Sequence, residues 1–461
     1  MKFHLIGIGG AGMSVVAELL FAEGHQITGS DRSSSEYTAH LSALGIKTYL
    51  GHAAENVPAD SVIVYSSAIK PDNPELLIAQ ERGQKIIHRS QALTLASGTK
   101  DFIAVAGAHG KTSASAMIAV AFDYLGLDPS RAIGGGLADG SSGGHFGNGK
   151  MIVAEADESD GSFLNYRPRI ALVTNVEPDH LDHYGSKENF MQAFLDFAHC
   201  IIPGGLLICC ADHPGSLLLA ENAANAGIRV HTYGTGEKPD FSECHAKLTH
   251  SAANRSSENC GDVEIIGEQQ NQKIKLSLQV PGKHMLLNSV GALLAGIESG
   301  ADGENMAKGL AEFRGTARRF EVRAAVDGIT VIDDYAHHPT EVFAALTTAK
   351  ELCAGKVHVL FQPHLYSRTT NFKREFAQAL SLADRVIITS AYAARETPDD
   401  GDDGDVIAEL LPGSLFIADM EESAQKIVQG THCGDFIITM GAGDVTKLGT
   451  IIAQELERGA Y

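Results

Sequence analysis

Several absences narrow what this chain does before any motif is read. No apolar run reaches the roughly 18 to 20 residues that a membrane helix needs, so no membrane insertion is expected. Lysine and arginine are few beside the acids, 36 against 57, and they form no cluster; the formal charge is −21. Binding a phosphate backbone needs a basic face, so no nucleic-acid partner is expected. The seven cysteines (Cys200, Cys209, Cys210, Cys244, Cys260, Cys353, Cys433) show no CxxC spacing, and two of them sit inside the apolar run LLICC. Buried reduced thiols of a cytoplasmic protein are the expectation. There is no fixed-period repeat, and no signal peptide is expected because the sequence runs straight into a strand.

What remains is an ordinary globular composition, 44% hydrophobic and 20% charged over 461 residues, long enough for two or three domains. Apolar strands alternate with helical stretches throughout, which predicts α/β architecture with parallel sheets. A fresh strand, DFIAVAG, after ASGTK and the arginine-rich FRGTARRFEV suggest three consecutive α/β domains, 1–97, 98–313 and 314–461. Within the second, HSAANRSSENCGDVEIIGEQQNQKIKLSLQV reads as a polar loop followed by a small antiparallel excursion.

The motifs lie at the strand ends. Gly7-x-Gly9-x-x-Gly12 follows the first strand and opens MSVVAELLFAEG, and a second strand, HQITGSD, ends in Asp31, where a dinucleotide fold keeps the acid for a ribose hydroxyl. Alone, that pattern favours an NAD-dependent dehydrogenase, but it leaves the later motifs unexplained. AVAGAHGKTS sets Gly107, Gly110, Lys111 and Thr112 between a strand and a helix. Backbone N–H groups there can wrap a phosphate, Lys111 can reach the β and γ phosphates, and Thr112 can offer its hydroxyl to Mg²⁺. The usual GxxxxGK spacing puts its first glycine at Val105, so this is a variant loop; its plainer reading is a glycine turn with an exposed lysine.

In VAEADESDGSF, Glu155 leaves a strand end where a hard cation wants carboxylate, while Asp157, Glu158 and Asp160 read as a solvated acidic turn. TNVEPDHLDHYG brings Asn175, Glu177 and His180 to a similar edge, without the further histidines a zinc hydrolase needs. VIDDYAHHPTEV places Asp333, Asp334, Tyr335, His337 and His338 between a strand and a helix that Pro339 can start. LFQPHLYSRT brings His364 and Arg368 to the same edge if the strands are parallel neighbours. Arg314, Arg318 and Arg319 sit at the joint of the last two domains, to reach a phosphoryl group or to form an interdomain salt bridge. The acidic stretch ETPDDGDDGD, residues 396–405, reads as a solvated loop.

In order along nearly the whole chain, GIGGAGMS, GSD, SSAI, GAHGKTS, EADESDGSF, TNVEPDH, GKHMLLN, FRGTARRFE, DDYAHHPTEV, FQPHLYSRT and GAGD resemble the Mur ligases of peptidoglycan synthesis. The resemblance implies a Rossmann-like N-terminal domain for the UDP part of the substrate, a central P-loop-type domain for ATP, and a Rossmann-like C-terminal domain that closes over both with the amino acid. It implies an ATP-dependent ligase joining L-alanine to the lactyl carboxylate of UDP-N-acetylmuramate through an acyl phosphate, with two Mg²⁺ ions, as a cytoplasmic monomer or homodimer. A recycling branch that adds a ready-made tripeptide to the same nucleotide sugar is the nearest alternative.

Carried over position by position, the resemblance puts Gly9, Gly10, Ala11, Gly12, Asp31 and Ser67 at the UDP moiety. It puts Gly107, His109, Gly110, Lys111, Thr112 and Ser113 at the ATP phosphates and Asn288 at adenine. Thr112 and Glu155 would hold the first metal and His180 the second. Tyr335, His337 and Arg368 would line the amino-acid pocket, and Arg319 would approach the phosphates, with Lys111, His180, His337 and Arg319 as the catalytic groups. Ala108 stands where the family usually has threonine, Met285 where an asparagine often follows the histidine, and Leu365 where some members carry arginine.

Overall fold

The computed structural model describes residues 1–250, 259–267, 271–394 and 396–459. Three sheets carry the chain. The first is five parallel strands in the order Lys47–Leu50, Gln26–Asp31, Lys2–Ile6, Val62–Tyr65, Ile86–His88. The second is built around parallel strands that include Asp101–Ala106, Met151–Glu155, Ile170–Val173 and Leu206–Cys210. It runs out through Cys244–His250 into an antiparallel pair, Asn259–Gly267 with Asn271–Leu278, the excursion expected from the sequence. The third holds Glu321–Val326, Ile329–Asp334, Phe436–Met440, Val357–Phe361, Arg385–Ile388 and Leu415–Phe416, all parallel except the first. The chain forms two compact units. One contains the first two sheets and the described residues up to Arg314 apart from 281–284; the other contains those four residues and the third sheet.

Strand composition follows position. LLICC and IALV are buried along their whole length because helices cover both faces of a parallel sheet, whereas Asn259–Gly267 alternates buried with exposed residues, as a sheet with one wet face must. Helix starts are equally local: Ser35 and Thr38 make a reciprocal capping box, and Asn73 caps a helix whose first residue is Pro74. Of the seven cysteines, all free, only Cys209, Cys210 and Cys244 are buried; Cys433 is exposed, because it lies in a turn before the strand Phe436–Met440 rather than within it.

A carboxylate is buried where the helix Pro74–Glu81 packs near the first sheet. Glu75 is fully buried and accepts from His4 Nε2 at 3.3 Å, Ser30 Oγ at 2.5 Å, Asn56 Nδ2 at 2.9 Å and the Ala53 amide at 3.1 Å. Burial alone raises a carboxyl pKa, but these donors outweigh it and bring Glu75 down to about 2.

Candidate active site

The glycine turn of the first sheet is closed by its own acid. Asp31 Oδ2 accepts the Gly9 amide at 2.9 Å and Oδ1 accepts the Ser33 amide at 3.3 Å, so its carboxylate holds the turn. A side chain at Gly12 would overlap the guanidinium of Arg89, which therefore lies across the start of the helix Ala11–Ala22. Ser67 donates to Asp160 at 2.5 Å, and His88 lies 3.6 Å from the same carboxylate. Arg89 lies 3.6 Å from Asp157.

The loop after Asp101–Ala106 is shaped by glycine and gripped by asparagine. Gly107 has φ +133° and faces the Thr174 hydroxyl, leaving no room for a Cβ; Gly110, at φ +82°, lies against the Asn288 amide. Asn175 takes both backbone groups of His109, accepting its N–H at 3.0 Å and donating to its carbonyl at 2.9 Å. The His109 ring lies 3.1 Å from Glu177. The loop is thereby fixed, and its N–H groups remain at the start of the helix Lys111–Tyr124, where an anion is stabilised.

Lys111 is not an exposed lysine. Its ammonium donates to Glu158 Oε1 and Oε2 at 3.0 and 2.9 Å and to the Gly107 carbonyl at 2.7 Å. Burial works against its charge, but Glu158 and Asp157 outweigh burial and raise its pKa. The solvated acidic turn expected at Asp157, Glu158 and Asp160 is therefore corrected: Glu158 is 1% exposed, and a carboxylate goes there only with a counter-ion. Lys111 and Arg89 also hold Asp157 below the usual carboxylate range against its own burial.

Glu155 accepts the Gly134 amide at 2.8 Å, and the next residue, Gly135, lies beside the Thr112 side chain. His180 has φ +51°, and its Nε2 lies 3.9 Å from Glu158 Oε1. Thr112 and Glu155 thus flank the Gly134–Gly135 turn beside the start of the helix, while His180 lies near Glu158; the hydroxyl and carboxylate oxygens are of the type a hard cation such as Mg²⁺ takes. Ser113 is buried beneath the loop.

The second unit gathers its own polar cluster at the ends of Ile329–Asp334 and Val357–Phe361. These strands are parallel but not neighbours, since Phe436–Met440 lies between them and pairs with both. Arg318 and Arg319 both stack on Tyr335, with guanidinium carbons 4.8 and 5.0 Å from the ring centre. Arg318 lies 3.4 Å from Asp333, and Arg319 pairs with Glu341 at 3.2 Å. Arg318 and Phe320 both adopt positive φ, so the backbone turns sharply on either side of Arg319. The two Asp334 oxygens accept the Phe320 and Ala336 amides at 2.8 Å each, yet burial keeps its pKa raised to about 6.

His337 donates from Nδ1 to the Tyr335 carbonyl at 3.0 Å, so Nε2 carries the lone pair. Burial above all, with Arg368 and His364 adding to it against Glu341, pushes this imidazole down to about 3. His337 and His364 meet ring to ring at 5.7 Å, and Arg368 reaches His364 Nδ1 at 3.2 Å. His338 is buried against Phe372 instead. Tyr335, His337 and Arg368 are thus brought together, with His364 between the last two.

The same chain order recurs in known proteins. Residues 2–100 match the Mur ligase family catalytic domain, 147–296 the Mur ligase middle domain and 318–443 the Mur ligase glutamate ligase domain. The chain is 47% identical to the UDP-N-acetylmuramate–L-alanine ligase of Renibacterium salmoninarum over 467 aligned positions, covering 99% of this chain and 98% of that one. The chain belongs to the Mur ligase family. A second such ligase, from Saccharopolyspora erythraea, is 47% identical over 99% of this chain and 94% of its own. Among solved structures, the UDP-N-acetylmuramate–alanine ligase of Thermotoga maritima superposes over the whole of both chains with TM-score 0.80 at 28% identity. A murein peptide ligase from Psychrobacter arcticus, at 23% identity and TM-score 0.73, shares the fold.

Seen as a Mur ligase, the chain holds polar residues that the motif reading passed over or set aside. Glu158 was hidden by its acidic neighbours. Glu341 receives both the His337 amide, at 3.1 Å, and Arg319; its signal in the sequence is its place four residues after His337, in the first turn of the helix Pro339–Leu352. Arg89 carried no signal, since only the fold sets it over Gly12. Of the departures in this Mur ligase, Met285 is a core residue and Leu365 precedes a helix with φ +70°.

Proposed function

We propose that this Mur ligase joins L-alanine to the lactyl carboxylate of UDP-N-acetylmuramate, with ATP cleaved to ADP and phosphate. The observation that carries the reading is identity of 47% over 99% of the chain to ligases of that name. The site residues support it with a physically coherent division of labour. The substrate carboxylate attacks the γ phosphorus and ADP leaves, giving an acyl phosphate; the amine of L-alanine, its ammonium proton lost to water, then attacks the acyl carbon, and phosphate departs from the tetrahedral adduct, taking up the second N–H proton.

In this reading the Gly9 to Gly12 turn, with Ser67 nearby, takes the UDP moiety, and Asp31 acts by fixing that turn. Residues Gly107 to Ser113 take the ATP phosphates, with Asn288 toward the base. Lys111 neutralises charge as it develops on the transferring phosphoryl group. Thr112, Glu155 and His180 would hold Mg²⁺, which supplies further charge neutralisation when bound. Tyr335, His337 and Arg368 form the amino-acid pocket, with Arg319 directed at phosphate. A histidine held near pKa 3 does not store the proton released by an amine; His337 serves as a neutral acceptor that orients the nucleophile. Domains 1–97, 98–313 and 314–461, acting in the cytoplasm, complete the proposal.

Phosphate release from ATP and Mg²⁺ with the nucleotide sugar, compared among L-alanine, glycine, L-serine and the recycled tripeptide, tests the function. Release is expected to need both the sugar and L-alanine, with some leakage to glycine because one methyl discriminates by only ~1 to 3 kcal/mol. Release with the tripeptide alone would move the chain to the recycling branch. Glu341→Gln keeps the shape of the side chain but weakens its hold on Arg319 and His337. A loss of about tenfold in kcat/KM for L-alanine is expected, as for other supporting residues; an unchanged value would remove Glu341 from that role.

A further inference from the structure

The acidic stretch 396–405 keeps Thr397, Pro398, Asp399 and Asp405 exposed, as its composition suggested, but Glu396, Asp402 and Asp403 tie it back to the fold. Asp402 pairs with Lys373 at 2.8 Å, and its amide donates to Thr370 Oγ1 at 2.8 Å. Asp403 accepts the Ala391 amide at 2.5 Å. Each tie leads to the helix Tyr366–Leu380 or to the segment just before the acidic stretch.

That helix has an irregular beginning. Its N-cap is Leu365, with φ +70° and no side chain able to accept a hydrogen bond. The first N–H groups of a helix need acceptors, and a carboxylate is favoured there by the helix dipole. Glu396 provides one from 29 residues away: its Oε2 accepts the Ser367 amide at 3.0 Å, and its Oε1 accepts the Ser367 hydroxyl. Two backbone bonds extend the grip, Leu365 N to the Tyr392 carbonyl at 3.0 Å and Tyr392 N to the Pro363 carbonyl at 2.8 Å. Between these ties lie His364, stacked on Tyr392 at 5.8 Å, and, one residue past Ser367, Arg368, 5% exposed.

We propose that Glu396 is a positioning residue for the amino-acid pocket: by capping the helix from outside, it fixes where His364 and Arg368 stand. The inference rests on reading Tyr335, His337 and Arg368 as that pocket. A carboxylate in this role fits the local geometry, since one residue must satisfy both an amide and a hydroxyl that diverge from the same serine. The acidic stretch is thus tied to substrate selection through a helix end, not through contact with substrate.

The test is steady-state kinetics of the full-length enzyme with each of three substrates varied in turn, alongside amide hydrogen exchange over residues 364–370. Glu396→Ala is expected to raise KM for L-alanine about tenfold, with kcat and the KM values for ATP and the nucleotide sugar changed by less than about twofold, and to speed exchange at Ser367 and Arg368. Glu396→Gln, whose carbonyl can still take the Ser367 amide, is expected to recover most of both effects. A fall in kcat alone, equal shifts in all three KM values, or no shift would overturn the proposal. If Glu396→Ala does not fold, Ser367→Ala is read by the same criteria, with a rise in KM for L-alanine of about threefold expected. Wild-type enzyme that releases no phosphate with L-alanine would sink the pocket reading instead; slow exchange at Ser367 in Glu396→Ala would then separately refute the cap.

Discussion

Replacing Lys111 by methionine is expected to lower L-alanine-dependent phosphate release by at least ~10²-fold, the usual effect of removing one preorganised charge donor from a transition state. The structure adds a complication, because Lys111 is also the counter-ion of a carboxylate that is 1% exposed. Breaking such a pair from one side costs about 3 to 5 kcal/mol, so the single variant is expected to unfold earlier as well as react more slowly. The double variant Lys111→Met with Glu158→Gln separates the two effects: it removes the stranded charge and is expected to regain most of the thermal stability and none of the rate. If the rate returned with the stability, Lys111 would be a structural residue only.

Substitution of Glu75 by glutamine is expected to destabilise the unit that holds the first sheet by about 3 kcal/mol, because at least one of four buried donors then faces an amide NH₂. The pH dependence has a definite sign. The folded pKa of about 2 lies below the ordinary 4.5, so the carboxylate stabilises the fold fully above about pH 4.5, and that contribution is lost as the pH falls toward 2. Urea denaturation followed by circular dichroism between pH 7 and 3 should show wild type and Glu75→Gln converging in the acid limb. Parallel curves across that range would mean that Glu75 is not the titrating group.

The architecture was legible because it rests on local patterns. LLICC and IALV announce strands covered on both faces, and the GAHGKTS turn announces a strand passing into a helix whatever the tertiary context. The grouping of candidate residues was legible where one motif holds them together, as in Tyr335 and His337, whose rings meet. It was not legible where the decisive partner is distant. Glu158 looks solvated beside two aspartates until the fold sets Lys111, 47 residues earlier, against it. Asp31 stands at the expected strand end but spends its oxygens on the Gly9 and Ser33 amides. The interposed strand Phe436–Met440 comes from the far end of the chain, so no reading of VIDDYAHHP beside LFQPHLYSRT could have supplied it.

Residues 157 to 160 face two ways. Glu158 turns toward the loop proposed for ATP, while Asp157 and Asp160 turn toward Arg89, Ser67 and His88 beside the turn proposed for the nucleotide sugar. A ligand that draws Lys111 from Glu158 changes the charge balance of a four-residue peptide whose other side chains border the second site. Any such coupling is reciprocal: whatever factor ATP imposes on the affinity for the sugar, the sugar imposes on the affinity for ATP. Four consecutive residues therefore border both proposed sites, with no longer chain of contacts needed between them.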